Sequence, residues 1–513
     1  MTLLVRGEIP PGVDGASLSG RGLRDGAVLV ADERIAAVGD YGALRNQHPT
    51  VESLGSAGHL LLPGFVDAHD HARGFGHVLG GVADDALETW LPRLDECPAI
   101  GPYLAALWSG ILLLESGVTT VLHDFIPPAR GALADAALDA LRAYDELGLR
   151  VGLGIPVWDQ GALSLDDDAF LVTLPPDLAV PVRSWSEAGA GLPLAAYKEA
   201  VVHVARVCRA RYPRARVLVS PAGPWRCSDA LLAHLAAWAR TEGLGRHLHL
   251  LETPYQRALG TRRYGGRTLV RRLAELEALG PDLTCAHGVW LTEADITLLA
   301  EAGVSVAHNP SSNLRLRSGI APLSTMLAAG LNVGLGLDGI SLDDDQDFVR
   351  EMRLGLTLHA CPGVDAPAIS PEQVLRMATV GGARSTLGPD DPPGRLEPGA
   401  PADLILIRQE RMRAPFAHPR VRSLDLLLRR GTAADVETVI VAGRVVMRER
   451  ALVGVDRAAV AARVAAAAER ALAEAADPPS WRADMIDRLR QFYRGWPQPP
   501  SEPYCARNSR TAG

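Results

Sequence analysis

Apolar and polar positions alternate along this chain in two textures. Over the first sixty residues, short apolar pieces at 3–5, 27–30 and 35–38 are separated by Gly and Asp, the punctuation of a small β unit. From residue 60 onward, apolar runs of four to seven residues take turns with stretches whose apolar positions recur at helical spacing. The pattern predicts strands at 61–66, 118–122, 151–157, 217–219, 247–251, 283–286, 304–307 and 333–337. Between them it predicts helices that include 104–114, 133–147, 194–210, 231–239, 269–279, 294–302 and 323–329. Eight strand-and-helix units over about 320 residues predict a (β/α)8 barrel, an α/β fold. A doubly wound open sheet would need a Gly-rich phosphate-binding turn after its first strand, and the sequence has none.

One insertion, 158–193, is rich in Asp, Pro and Gly and long enough to be a lid or a mobile excursion. Strand texture returns at 402–407, 436–441 and 444–446, as the second half of the small β unit. An Ala-rich helix is predicted over 458–475, and the Pro- and Ser-rich stretch 496–513 is expected to be irregular. The boundaries are therefore 1–61 and 386–455 for a β-sandwich built from both ends, 62–385 for the barrel, and 456–513 for a helical extension with an irregular tail.

Composition narrows the partners. With 60 acidic and 52 basic residues the 513-residue chain carries a formal charge of −8, so nothing would neutralise a nucleic-acid backbone. No run of 18 apolar residues suggests a membrane span, and the first dozen residues lack the apolar core of a secretory signal. Six scattered cysteines (Cys97, Cys208, Cys227, Cys285, Cys361 and Cys505) read as reduced thiols of a cytoplasmic protein rather than as a disulfide framework.

The chemistry gathers at strand ends. In Asp67-Ala68-His69-Asp70-His71, residues two apart face the same side of a strand, so Asp67, His69 and His71 point together toward the barrel axis. Two imidazoles side by side are half of a metal site. Further His, Glu or Asp residues close other predicted strands: His247, His249 and Glu252 on the fifth, His287 on the sixth, His308 on the seventh and Asp338 on the eighth. A single histidine of this kind is ordinarily a core residue. A set of them on the face where barrels keep their active sites is not explained by packing.

These residues resemble the amidohydrolase superfamily, specifically its cytosine/guanine/chlorotriazine branch of aminohydrolases. The resemblance rests on Leu62-Pro63-Gly64-Phe65-Val66-Asp67-Ala68-His69-Asp70-His71, Ser116-Gly117-Val118-Thr119-Thr120, His247 to Thr253, Asn309 to Leu316 and Leu396 to Leu404. It implies that His69, His71, His249 and Asp338 ligate a metal, with Glu252 as proton shuttle and His287 as the sixth-strand histidine. Binuclear relatives bridge two ions with a carboxylated lysine on the fourth strand. Lys198, the only lysine here, precedes that strand by some twenty residues within a predicted helix, so one divalent transition metal is expected, zinc ranked before iron.

Such an ion lowers the pKa of bound water to about 7. Asp338 then takes a proton from that water, Glu252 protonates the substrate ring and His287 steadies the developing charge. The expected activity is hydrolytic deamination of an amino-substituted N-heterocycle (purine, pyrimidine, pteridine or triazine-like) with release of ammonia. Its rivals are opening of a cyclic amide, displacement of a chloride or thiomethyl group, and an inactive scaffold.

Pocket candidates are Trp90, His123, Trp158, Trp225, His308 and Asn313. Asp67 is expected either to orient a ligand histidine or to act as a turn residue. Asp70, a departure from the usual small or amide residue, is expected off the axis beside an arginine, and His247 is expected to be a hydrogen-bonding neighbour. The carboxylates at 343–347 read as a helix cap. The resemblance also implies a homodimer or a larger homo-oligomer.

Overall fold

The computed structural model describes residues 2–12, 22–127, 133–161, 163–189, 191–388, 392–475, 477–498, 500 and 502–505. Among these residues sixteen strands form two sheets. The first is built from both ends of the chain: β1 (Thr2–Ile9), β2 (Leu23–Ala31), β3 (Arg34–Asp40) and β4 (Glu52–Pro63), then, beyond eight further strands, β13 (Leu404–Arg408), β14 (Val436–Val441), β15 (Arg444–Arg448) and β16 (Ala451–Leu452). Its order is β16-β15-β14-β13-β4-β1-β2-β3. The two halves meet where β4 runs antiparallel to β13, with Leu62 opposite Ile405.

The second sheet is the barrel: β5 (Phe65–Asp70), β6 (Val118–Asp124), β7 (Arg150–Val157), β8 (Ala215–Pro221), β9 (Gly245–Leu250), β10 (Leu283–His287), β11 (Ser305–His308) and β12 (Asn332–Leu335), neighbours in chain order and parallel where paired. Every residue of β5 and β6 is buried. Strands covered on both faces read as continuous apolar runs without alternation. The circle closes just past β12, where the Asp338 amide donates to the His69 carbonyl at 2.8 Å.

The apolar run at 61–66, expected as one strand, is divided between the end of β4 and the start of β5. Gly64 marks the break. A Cβ there would lie 2.2 Å from Thr119 Oγ1, so only glycine lets the chain pass from one sheet to the other against β6. At the same junction, where the Gly64 amide donates to the Asp403 carbonyl at 2.9 Å, Arg150 makes a two-pronged pair with the Asp403 carboxylate (2.8 and 3.1 Å), joining β7 to the terminal sheet.

The insertion after β7 is not an irregular excursion. It forms the helices Asp167–Val172 and Pro176–Ala188, the first capped by Asp166, which accepts from the Ala169 amide. Phe170, Leu178 and Val182 pack with Met485, Leu489 and Tyr493 of the helix Trp481–Arg494, and Trp225 joins the same cluster. The Leu165 amide donates to the Tyr493 hydroxyl at 3.0 Å. The same terminal helix grips the loop after β5: Arg490 pairs with Asp85 at 2.6 Å, and Arg482 with Asp95. Apolar burial thus joins two segments far apart in sequence into one cap.

The Ala-rich helix is observed at Arg457–Glu474 and buries Val460, Val464 and Ala467. The tail beyond 505 lies outside the described residues. Among the described residues no helix is long and apolar enough to cross a membrane. The reading of all six cysteines as free thiols is corrected at one pair: Cys361 and Cys505 form a disulfide across a sequence separation of 144. A separation of that length gives no spacing signal. Cys97, Cys208, Cys227 and Cys285 are free.

Candidate active site

Three strand ends deliver four side chains to one point at the carboxyl-terminal mouth of the barrel. His69 Nε2 and His71 Nε2 lie 3.1 and 3.2 Å from Asp338 Oδ1. His249 Nε2 faces His71 Nε2 at 3.3 Å. The backbone fixes two of these rings, since His71 Nδ1 lies 2.8 Å from the Asp124 carbonyl and His249 Nδ1 lies 3.0 Å from the Ala222 carbonyl. A ring that donates from Nδ1 holds its lone pair on Nε2. Two such lone pairs pointing at each other repel unless a cation lies between them.

His69 is fully buried, and neither of its nitrogens makes a well-aligned hydrogen bond, although Nε2 lies 3.1 Å from Asp338 Oδ1. Donor atoms of His69, His71 and His249, and likewise of His69, His287 and Asp338, lie within 4.8 Å of one another. Three imidazoles and a carboxylate in this arrangement fit a single divalent transition metal. Lys198 lies on the surface, 3.5 Å from His234 and 5.0 Å from the centre of the Trp238 ring, so it takes no part.

The electrostatics suit ligands. Burial pushes His69 down to about 4, and burial with the surrounding imidazoles pushes His249 well below its ordinary value. Both rings are therefore neutral. Burial works against the charge of Asp338, but His69, His71 and His287 overcome it and hold the carboxyl well below its usual range.

Beside this cluster stand Glu252 and His287. Glu252 is buried, accepts from Ser318 Oγ at 3.3 Å, and lies 3.7 Å from His287 Nε2. Burial raises its carboxyl. His287 Nε2 is 4.0 Å from Asp338 Oδ2, while its Nδ1 lies 3.0 Å from the Asn313 side-chain oxygen. Ser312 Oγ donates to Asp338 Oδ2 at 2.5 Å. Leu251, His287 and Asp338 all adopt positive φ (47, 75 and 59°). Left-handed backbone at non-glycine residues costs free energy and clusters at functional sites. Close approach matters too: a Cβ on Gly336 would lie 2.4 Å from Asn309 Oδ1 and 2.9 Å from the His69 amide.

Other residues fall in different places. Asp67 Oδ1 accepts from the His69 and Leu337 amides (3.2 and 3.1 Å), tying the first barrel strand to the last instead of touching an imidazole. Asp70 does not meet an arginine; it clasps the Ala72 and Gly339 amides. His247 stacks on His69 with ring centres 4.8 Å apart, and neither nitrogen has a hydrogen-bond partner. Asp347 caps the helix Phe348–Leu358 by accepting from the Arg350 amide at 3.1 Å.

Among the pocket candidates, Trp225 lies 6.4 Å from the His249 ring. Trp90 is buried with its ring 4.6 Å from His77. Asn313 holds His287. His123, Trp158 and His308 are not brought to the cluster. His123 turns to the Tyr144 hydroxyl at 3.1 Å, Trp158 donates to the Gly189 carbonyl, and His308 Nε2 lies 2.8 Å from His359 Nε2.

Asp124, one residue past His123, occupies the inward position that sequence reasoning missed. Ser220 donates to it at 2.5 Å, its Oδ2 lies 3.7 Å from His249 Nδ1, and burial pushes its carboxyl up to about 6. The alternation of β6 was the available signal, and the histidine one step before it was the distraction.

Comparison with known proteins agrees with this geometry. Residues 60–446 match the amidohydrolase family, and residues 26–50 match an imidazolonepropionase-like composite domain of bacteria. A 5'-deoxyadenosine deaminase of Methanosarcina mazei is 30% identical over 462 residues, covering 88% of this chain and 94% of the relative. A 5-methylthioadenosine/S-adenosylhomocysteine deaminase of Desulforudis audaxviator is 32% identical over 471 residues, covering 90% and 96%. The crystal structure of an adenosine deaminase from Xanthomonas campestris with bound zinc superimposes with a TM-score of 0.76 at 27% identity, covering 92% of this chain and 98% of that one.

Proposed function

This chain belongs to the amidohydrolase family, and we propose from that premise that it is a zinc-dependent aminohydrolase. It removes the exocyclic amino group of an N-heterocycle as ammonia, with adenine carried on a ribose-like unit as the first class to test. The observation that carries this reading is the convergence of His69, His71, His249 and Asp338 next to a buried acid, Glu252, that is itself no ligand. Three imidazoles and a carboxylate suit zinc, and the adenosine deaminase of Xanthomonas campestris was crystallised with it.

Bound there, the ion would supply Lewis acidity and an activated water at neutral pH. The remaining chemistry belongs to the side chains. Glu252, raised by burial, keeps its proton to a higher pH than an ordinary carboxyl and gives it to the ring nitrogen beside the amino-bearing carbon. That carbon becomes electrophilic as a result. His287, whose Nδ1 donates to the Asn313 side-chain oxygen, presents its Nε2 lone pair to accept from the hydroxyl of the oxygen that adds to the carbon and so orients it. Asp338 Oδ2, steadied by Ser312, takes the proton of the attacking water and returns it to the departing nitrogen.

Ammonia release from the zinc-loaded protein over adenosine, 5'-deoxyadenosine, 5-methylthioadenosine, guanine, pterin and an aminotriazine tests the reading. Silence across the panel, with a cyclic amide opened instead, rejects it.

A further inference from the structure

We propose that Arg73 is a substrate-recognition residue, and that the ring this protein acts on carries a carboxylate-type anion. The proposal rests on the aminohydrolase reading above and narrows its substrate class. The chain leaves β5 at Asp70, turns through Ala72 at a positive φ of 46°, and sets Arg73 on the rim two residues after His71. Its Nε is shielded from solvent and has no hydrogen-bond partner. Among the described residues, no carboxylate lies within ion-pair distance of its guanidinium.

Several partly buried arginines of the chain are paired, Arg246 with Asp282, Arg315 with Asp84 and Asp344, Arg482 with Asp95, whereas Arg226, over Trp158, shares with Arg73 an unbonded Nε. A guanidinium nitrogen shielded from water without a partner costs free energy, and the half-buried Arg73, two residues past His71, leaves its Nε in that state. The carboxylates that act on it through space are Asp338, Asp70 and Asp124. Each is engaged elsewhere, Asp338 by His69, His71 and Ser312, Asp70 by two backbone amides, Asp124 by Ser220.

The Trp90 ring lies 5.6 Å from the guanidinium carbon, but an aromatic face engages the plane of a guanidinium and leaves its N–H edge free. Beside them stands His77, 3% exposed, with both ring nitrogens unbonded and its edge toward Trp90. A flat apolar wall, a two-pronged cationic fork and an imidazole within one loop form a recognition set for an aromatic ring bearing a carboxylate.

The test measures binding without turnover. Nicotinate and nicotinamide present the same heterocycle with and without the anion, and neither carries a ring amino group to displace. Calorimetric titration of the full-length, zinc-loaded protein is expected to show nicotinate binding at least about tenfold tighter. In Arg73→Met with undiminished zinc content that preference disappears, and in Arg73→Lys part of it returns. Should the methionine variant fail to fold, Arg73→Gln takes its place with the same expectation. Equal affinities in the unmodified protein overturn the proposal. So does a preference that persists in the methionine or glutamine variant, because the anion is then held by the metal. If the ammonia panel is silent while the Arg73-dependent preference stands, the aminohydrolase reading alone falls.

Discussion

Glu252→Gln separates proton transfer from metal binding. Glutamine keeps the shape of the side chain and can still accept from Ser318 Oγ, which lies 3.3 Å from Glu252 Oε1, but it cannot deliver a proton. General acid catalysis is worth roughly 10²–10⁴ in rate. The lower half of that range is expected, because Asp338 lies near enough to the shared partner His287 (4.0 Å, against 3.7 Å for Glu252) to carry part of the proton traffic. A fall in kcat of about 10² to 10³ corresponds to about 3–4 kcal/mol of barrier.

Steady-state ammonia release gives kcat and KM, and metal analysis gives zinc per chain. Zinc content should hold near one and KM should change little. Because burial raises the Glu252 carboxyl, its acid form survives above the ordinary carboxyl range and is lost as pH climbs through the raised value. The alkaline decline of kcat/KM should therefore flatten in the glutamine variant. A drop smaller than tenfold, or a loss of zinc along with activity, would refute the assignment.

Three further outcomes are expected. His249→Ala should cut tightly held zinc well below one equivalent and abolish turnover, whereas retention of a full equivalent would remove His249 from the ligand set. Glu88 is buried, accepts from Thr253 Oγ1, and is pushed up to about 7 by burial, with Glu252 adding to the rise. The folded chain holds that proton to about pH 7 and the unfolded chain loses it near 4.5. The penalty is thus absent below the lower value and complete, at about 3 kcal/mol, above the upper one. Glu88→Gln should raise Tm by about 3 °C at pH 8 and hardly at all at pH 4.5, so a gap that does not widen with pH sinks this account. Leu489→Ala opens a cavity in the terminal helix's contact with the insertion, costing about 2–5 kcal/mol locally. It should raise KM more than it lowers kcat, since that helix anchors the loop of Trp90 through Asp85 and Asp95; unchanged KM with normal stability would show that the cap does not shape the pocket.

The barrel was legible because its strands are covered on both faces and therefore form apolar runs of strand length with helical texture between them. The convergence of the candidate ligands was legible in part because a period of two fixes the facing of His69 and His71, while His249 and Asp338 were picked out through the resemblance to the amidohydrolase superfamily. Most of what escaped depends on tertiary placement. Gly64 divides one apolar run between two sheets, and the Pro63-Gly64 dipeptide inside the run was the turn signal that the reading passed over. His123 attracted attention by its chemistry, while the parity of β6 turns Asp124 inward in its place. The insertion lacks a strong pattern of its own because its helices complete their apolar face only against residues 481–494, three hundred positions away by order of magnitude. The Cys361–Cys505 link is hidden for the same reason: the chain between them, not their spacing, brings them together.

The sheet shared by the two chain ends has a consequence for biosynthesis. As the polypeptide emerges from the ribosome, β4 presents an edge whose partner opposite Leu62, Ile405, has yet to be translated. At typical elongation rates that wait lasts on the order of tens of seconds. Throughout it, Leu60, Leu61 and Leu62, fully covered in the finished protein, have no native cover on that side. Nascent chains of this fold should therefore depend on chaperone shielding until β13 arrives, and slowing translation downstream of the barrel should increase aggregation more than slowing it upstream.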